Sequence, residues 1–220
     1  LEAEYPGIFA RVAGCRDPFV SIPEQVANHG LAGMETNVVL IGWPQDASNN
    51  KRYTKMVSRM IDLDVSLLMM RYQSDKGFGK YERVDVWWDG EATTGQLMLT
   101  LSHLLTTSSA WKNAKVRLLV TSRRGHDEAS AQKKLEAMIG DARVKADGVL
   151  LPPLADARTL SARIRQESGF ADLVVVHAAS PTEDESFVEV NDRLLAGLGT
   201  ALLVRPSSHF SDAPAIFEST

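Results

Sequence analysis

Residues 84–120, VDVWWDGEATTGQLMLTLSHLLTTSSAWKNAKVRLLV, constrain the fold more than any other stretch of the chain. They run a strand with two adjacent tryptophans into a helical stretch, and then into an apolar strand. Alternation along VDVWW puts Val84, Val86 and Trp88 on one face and Asp85 and Trp87 on the other. Each face then carries a large aromatic, so the strand is expected to be covered on both sides. Leu97, Leu101, Leu104 and Leu105 recur at helical spacing, with Thr100, His103 and Thr107 between them, as in a helix laid over a sheet. VRLLVTS follows as a second strand, parallel to the first.

The same alternation of strand and helix runs through the chain. Strands are predicted at 8–12, 37–43, 65–71, 84–88, 115–121, 147–151, 172–177 and 201–205, and helices near 21–29, 49–62, 95–107, 127–140, 156–167 and 184–198. Helices of this length between strands imply βαβ crossovers, hence an α/β fold with a mostly parallel sheet and helices on both faces. Ser21-Ile22-Pro23-Glu24 reads as one helix start, with a cap residue ahead of an early proline and acid, and Thr182-Glu183-Asp184-Glu185 as another.

Two segment pairs repeat. NVVLIGWP begins at 37 and SLLMMR at 66; DLVVVHAASP begins at 172 and ALLVRP at 201, so both pairs are spaced by 29 residues and the second is offset from the first by 135. This predicts two similarly built halves, 1–72 and 84–220, joined by 73–83. QSDKGFGKYER at 73–83 has two glycines and five charges among eleven residues and reads as a solvent-exposed linker. The first half lacks an opening strand, since GIFARVAG enters midway through the pattern.

Composition excludes several classes. A net charge of −4 leaves no basic footprint for nucleic acid. Cys15 is the sole cysteine, which forbids an internal disulfide, fits a reducing compartment, and reads as inert packing. The start LEAEYPGIFARVAG has acids where a secretory leader has a basic region. Residues 92–111 lack formal charge but are rich in Ser and Thr, too polar to span a membrane.

DVWW at 85–88, GQLMLTLSHLL at 95–105, Trp111 and KVRLLV at 115–120 resemble the cytosolic C-terminal domain of cation-chloride cotransporters. GLAGMETNVVLIGWP at 30–44 looks like a second signature, and ADLVVVHA (171–178) and TALLVRP (200–206) fall in matching order. Asp89-Gly90-Glu91-Ala92-Thr93-Thr94 stands where the family often has a glycine pair, and a long charged insert before the closing strands is absent. The resemblance implies a non-enzymatic regulatory and dimerisation domain of a symporter that couples chloride to sodium or potassium, within the amino acid-polyamine-organocation superfamily. It implies a position on the cytoplasmic face of the membrane, with the membrane part upstream. The partners implied are a second copy of the chain and that membrane domain.

The family's folding pattern resembles that of universal stress proteins, which invites an alternative: a free-standing ligand or nucleotide binder with two stress-protein-like halves, the first incomplete. Nucleotide phosphates need a glycine-rich turn whose amides can approach them. After 172–177 the only glycines are Gly197 and Gly199, the turn in the first half has Gly42 alone, and Glu183, Asp184 and Glu185 would repel a polyphosphate. No nucleotide or other cofactor is therefore expected. Thr121-Ser122-Arg123-Arg124-Gly125-His126 follows a strand and could hold an anion, but a solvated loop is the better reading. His29, His103, His126, His177 and His209 lack metal-ligand spacing, and no nucleophile elbow occurs, so neither a metal site nor a catalytic residue is assigned. Trp88 belongs to the core by alternation, whereas Trp87, sharing a face with Asp85, suits either the core or an interface.

Overall fold

A computed structural model of the chain describes residues 12–28, 36–154, 156, 159–180, 186–210 and 216, with the side chains of 92 and 93 excepted. Seven strands form one sheet: β1 (Val38–Gly42), β2 (Ser66–Arg71), β3 (Arg83–Trp88), β4 (Lys115–Thr121), β5 (Ala146–Leu151), β6 (Leu173–His177) and β7 (Ala201–Arg205). The helices are α1 (Pro18–Asn28), α2 (Asn50–Asp62), α3 (Ala92–Thr107), α4 (Glu128–Asp141), α5 (Leu160–Ser168) and α6 (Phe187–Leu195). Strand order is β1-β2-β7-β6-β3-β4-β5, and every pairing is parallel except β2 with β7. The predicted strand at 8–12 lies outside the described residues apart from Val12.

Alternation divides the core into two layers. Trp87 and Leu119 face one side with Leu67, Met69, Val174 and Leu203, under α2, α5 and α6. Val84, Val86, Trp88 and Leu118 face the other, under α3 and α4. The two faces assigned to VDVWW are thus the two faces of the sheet. Trp87 is a core residue, its indole N–H donating to the Ser168 hydroxyl at 2.9 Å. On the opposite side Trp88 packs so closely under α3 that a Cβ on Gly95 would lie 2.4 Å from its Cζ2 atom.

The counted repeat has a spatial meaning. The 135-residue offset carries β1 onto β6 and β2 onto β7, and each pair is parallel within itself. Leu68 and Met69, which the offset carries onto Leu203 and Val204, pair with Val204 and Leu203 across the antiparallel junction. The two βαβ units are therefore related by a local two-fold axis through β2 and β7. That equivalence ends at the edge: Val175 in β6 is 0% exposed, whereas its counterpart Leu40 in β1 is 62% exposed.

Several expectations are corrected. Residues 73–83 are largely exposed, but they are a run of tight turns, not a free linker. The Asp172 carboxylate accepts from the backbone N–H groups of Lys80, Glu82 and Arg83, and the Thr200 hydroxyl accepts from Gln73 N–H. The strands on either side of this segment share one sheet. Helix α1 begins at Pro18, ahead of Ser21, because the Asp17 carboxylate captures Phe19 N–H, and Pro23 falls inside it. Helix α6 starts at Phe187 under a reciprocal Ser186–Glu189 capping box, after the acids expected to begin it; 181–185 lie outside the described residues. Cys15 is exposed, not packed.

Candidate functional site

Adjacent strands β3 and β6 continue in opposite directions. From β3 the chain passes under α3 to β4, and from β6 it passes over α6 to β7 on the other side. This is a topological switch point, where open α/β sheets leave a crevice outside the carboxyl ends of their strands. A cleft of about 270 Å³ occupies that position here. Trp87, Trp88, Leu160, Ile164, Val176 and Leu194 supply its apolar walls, with Leu154 and Ala179, and its polar groups are Asp89, Thr121 and His177.

Asp89 and His177 are each the first residue beyond an apolar run, one following VDVWW and the other LVVV. Because β3 and β6 are hydrogen-bonded in register from Val84↔Leu173 to Trp87↔Val176, His177 emerges level with Trp88 and Asp89 follows one residue further along β3, diagonally across from His177. His177 Nδ1 lies 2.9 Å from Asp89 Oδ2. The carboxylate also accepts from Thr94 Oγ1 at 3.2 Å and from Glu91 N–H at 3.0 Å. Burial alone would raise the Asp89 pKa, but the imidazole, the backbone N–H and the hydroxyl overcome it and hold the group below the usual carboxylate value. An ionised aspartate fixes the imidazole through Nδ1 and presents Nε2 to the cleft, an arrangement suited to receiving a hydrogen bond from, or donating one to, a small ligand.

The loop beyond β6 is pinned to α6 at Ala179, where it borders the cleft. The Ala179 N–H donates to Asn191 Oδ1 at 2.8 Å, and Asn191 Nδ2 donates to the Ala179 and Phe187 carbonyls at 2.9 and 2.8 Å. At the end of β4, Thr121 reaches the cleft, whereas Arg123 pairs with the Glu91 carboxylate, so the loop read as a possible anion holder is internally engaged. Among the described residues no three His, Cys, Asp or Glu side chains are grouped as a metal ion would require. In the sequence His177 is one of five scattered histidines, and Asp89 stands only where a glycine pair is often found in the resembling family. The signal that joins them is position: both terminate adjacent parallel strands.

A second charged cluster sits at the amino ends of β3 and β4. Asp85, fully buried, accepts two hydrogen bonds from Arg117 at 2.9 and 2.7 Å and two from Arg83 at 3.2 and 3.1 Å. Both guanidiniums also donate to the Glu167 carbonyl, at 2.8 and 3.0 Å, in the last turn of α5. Burial would raise the Asp85 pKa, but the two guanidiniums and the Ser168 hydroxyl hold it below the ordinary value. The cluster clamps the carboxyl end of α5, where cations suit the helix dipole, and so fixes the wall of the cleft.

A seven-stranded, mostly parallel sheet with helices on both faces and a switch-point cleft defines the class: an α/β fold of the universal-stress-protein type. No protein-family model matches the chain. Among solved structures it is similar to the cytoplasmic domain of a prokaryotic cation chloride cotransporter, with a TM-score of 0.62 at 12% identity, over 90% of this chain and 72% of that one. It is also similar to a universal stress protein from Archaeoglobus fulgidus, with a TM-score of 0.54 at 12% identity, over 88% of this chain and 67% of that one. Among the described residues no helix is long and apolar enough to cross a membrane.

Proposed function

We propose that the chain is the cytosolic regulatory and assembly domain of a cation-chloride symporter and has no catalytic activity of its own. The observation that supports this reading is the likeness to a cotransporter's cytoplasmic domain over 90% of the chain. The ordered segments at 30–44, 85–88, 95–105, 115–120, 171–178 and 200–206 agree with it. In this role the domain dimerises and contacts the transporter's intracellular loops, favouring one transport state through contacts that differ between states. The test is the reading frame that encodes residue 1. About ten to twelve apolar spans of roughly 20 residues are expected ahead of it, and their absence from the complete frame overturns the proposal.

The cleft between β3 and β6 favours a second reading, a free-standing stress-protein-like ligand binder. The two readings part on titration calorimetry with ATP, AMP and cyclic AMP. The regulatory-domain reading expects no dissociation constant tighter than about 10 μM, roughly −7 kcal/mol. A tighter value moves the assignment to the second reading.

A further inference from the structure

The amino-terminal ends of β3, β4 and β6 carry a built aromatic surface that neither reading uses. Tyr72 packs on Phe78, Phe78 on Tyr81, and both Phe78 and Tyr81 pack on Trp111, with ring centroids 5.5, 6.0, 5.8 and 4.8 Å apart. Trp111 is buried beneath, while Tyr72 and Tyr81 remain 49% and 39% exposed. The platform is held against backbone strain. Tyr81 adopts φ +60°, a conformation that bulky side chains rarely take, and Gly77 and Gly79 are also left-handed at +57° and +55°. The Asp172 carboxylate fixes this turn, and only glycine is possible at 79, where a Cβ would lie 1.9 Å from Asp172 Oδ1. Two residues before Asp172, Phe170 stands on the turn between α5 and β6 at 94% exposure.

The charges around these rings are lopsided. Lys76, Lys80, Lys112, Arg143 and Lys145 lie at this end, exposed and in no ion pair among the described residues; Asp75, Glu82 and Asp141 are the exposed acids among them. Lys115 is neutralised locally by Asp147. This end of the sheet thus carries a surplus of exposed cations in a chain whose net charge is −4.

We propose that this end of the sheet is a docking surface for an anionic lipid bilayer. A protruding phenylalanine at the same end of the sheet as two part-exposed tyrosines and several exposed lysines fits the interfacial zone, where ring edges enter the headgroup layer and ammonium groups meet lipid phosphates. A protein groove of this chemistry would instead pair its lysines with acids across a closed, desolvated patch, and a ring exposed as Phe170 is has no walls around it to form such a pocket. The assignment requires only this chain, so it stands or falls separately from the transporter reading.

The experiment is flotation of the 220-residue chain with vesicles of phosphatidylcholine alone and of phosphatidylcholine with 30% phosphatidylserine. Binding to the anionic vesicles is expected to exceed binding to the neutral ones by at least about tenfold and to weaken as salt rises. Phe170→Ser lowers it several-fold, and Lys76→Glu with Lys80→Glu and Lys112→Glu lowers it by about two orders of magnitude. Unchanged melting curves show that the variants are folded. Wild-type protein that stays unbound with both vesicles overturns the proposal and leaves the platform to a protein partner. Binding that both variants retain in full overturns it equally.

Discussion

Asp85 makes the sharpest single-residue prediction. Replacing it with Asn removes the buried carboxylate between two part-exposed guanidiniums, Arg83 and Arg117, at the end of α5, and the expected loss is about 1.5–3 kcal/mol at pH 7 by urea denaturation. Because the folded-state pKa of Asp85 is depressed, its contribution is present above the unfolded value near 3.9 and is lost as pH falls through the folded pKa. The gap between wild type and Asp85→Asn should therefore narrow below about pH 4. A gap constant from pH 7 to pH 2 would show that the Asp85 pKa is not depressed in the folded state. Trp88→Ala should cost about 3–5 kcal/mol through loss of a packed indole under α3. Gly95 makes the complementary test. Alanine normally stabilises a helix over glycine by up to about 1 kcal/mol, but here its Cβ would overlap the Trp88 ring, so Gly95→Ala is expected to destabilise by about 1–3 kcal/mol. A raised midpoint would refute the close packing of ring and helix.

At the level of elements, β1 is the strand whose environment differs most from its counterpart. Leu40 should accept Lys with a change within about 0.5 kcal/mol, whereas the same substitution at Met69, buried in the neighbouring strand, should prevent folding. Equal denaturant midpoints for the two variants would contradict the register of β1 on β2. The reasons for success and failure in reading elements from residues are physical. β3, α3 and β4 were legible because two-residue alternation and helical leucine spacing are local signals. Helix starts were less so. Asp17 rather than Ser21 begins α1, and Ser186 rather than the preceding acids begins α6, since a cap depends on which side chain reaches a backbone N–H. The segment at 73–83 has a linker's composition, but its turns are fixed by Asp172 and Thr200, roughly 90 to 125 residues away, and no local pattern records that. The Asp89–His177 pair was hidden for the same reason: strand order brings it together, and the order of β3 and β6 is a property of the whole sheet.

For the whole molecule, the regulatory-domain proposal expects a two-fold homodimer, whose affinity can be modest because a shared membrane part would hold two copies at high effective concentration. Sedimentation from about 5 to 500 μM should reveal it. A strict monomer across that range would leave contact with the membrane domain as the only role. The local two-fold axis already present within one chain has a separate consequence, in time rather than in space. Met69 finds its strand partner, Leu203, only after 134 further residues have been made. At roughly 5–20 residues per second that interval is about 7–27 s, during which β2 emerges from the ribosome with a bare hydrogen-bonding edge. The amino-terminal unit must therefore wait, shielded or at risk of misassembly, for β7 to complete it.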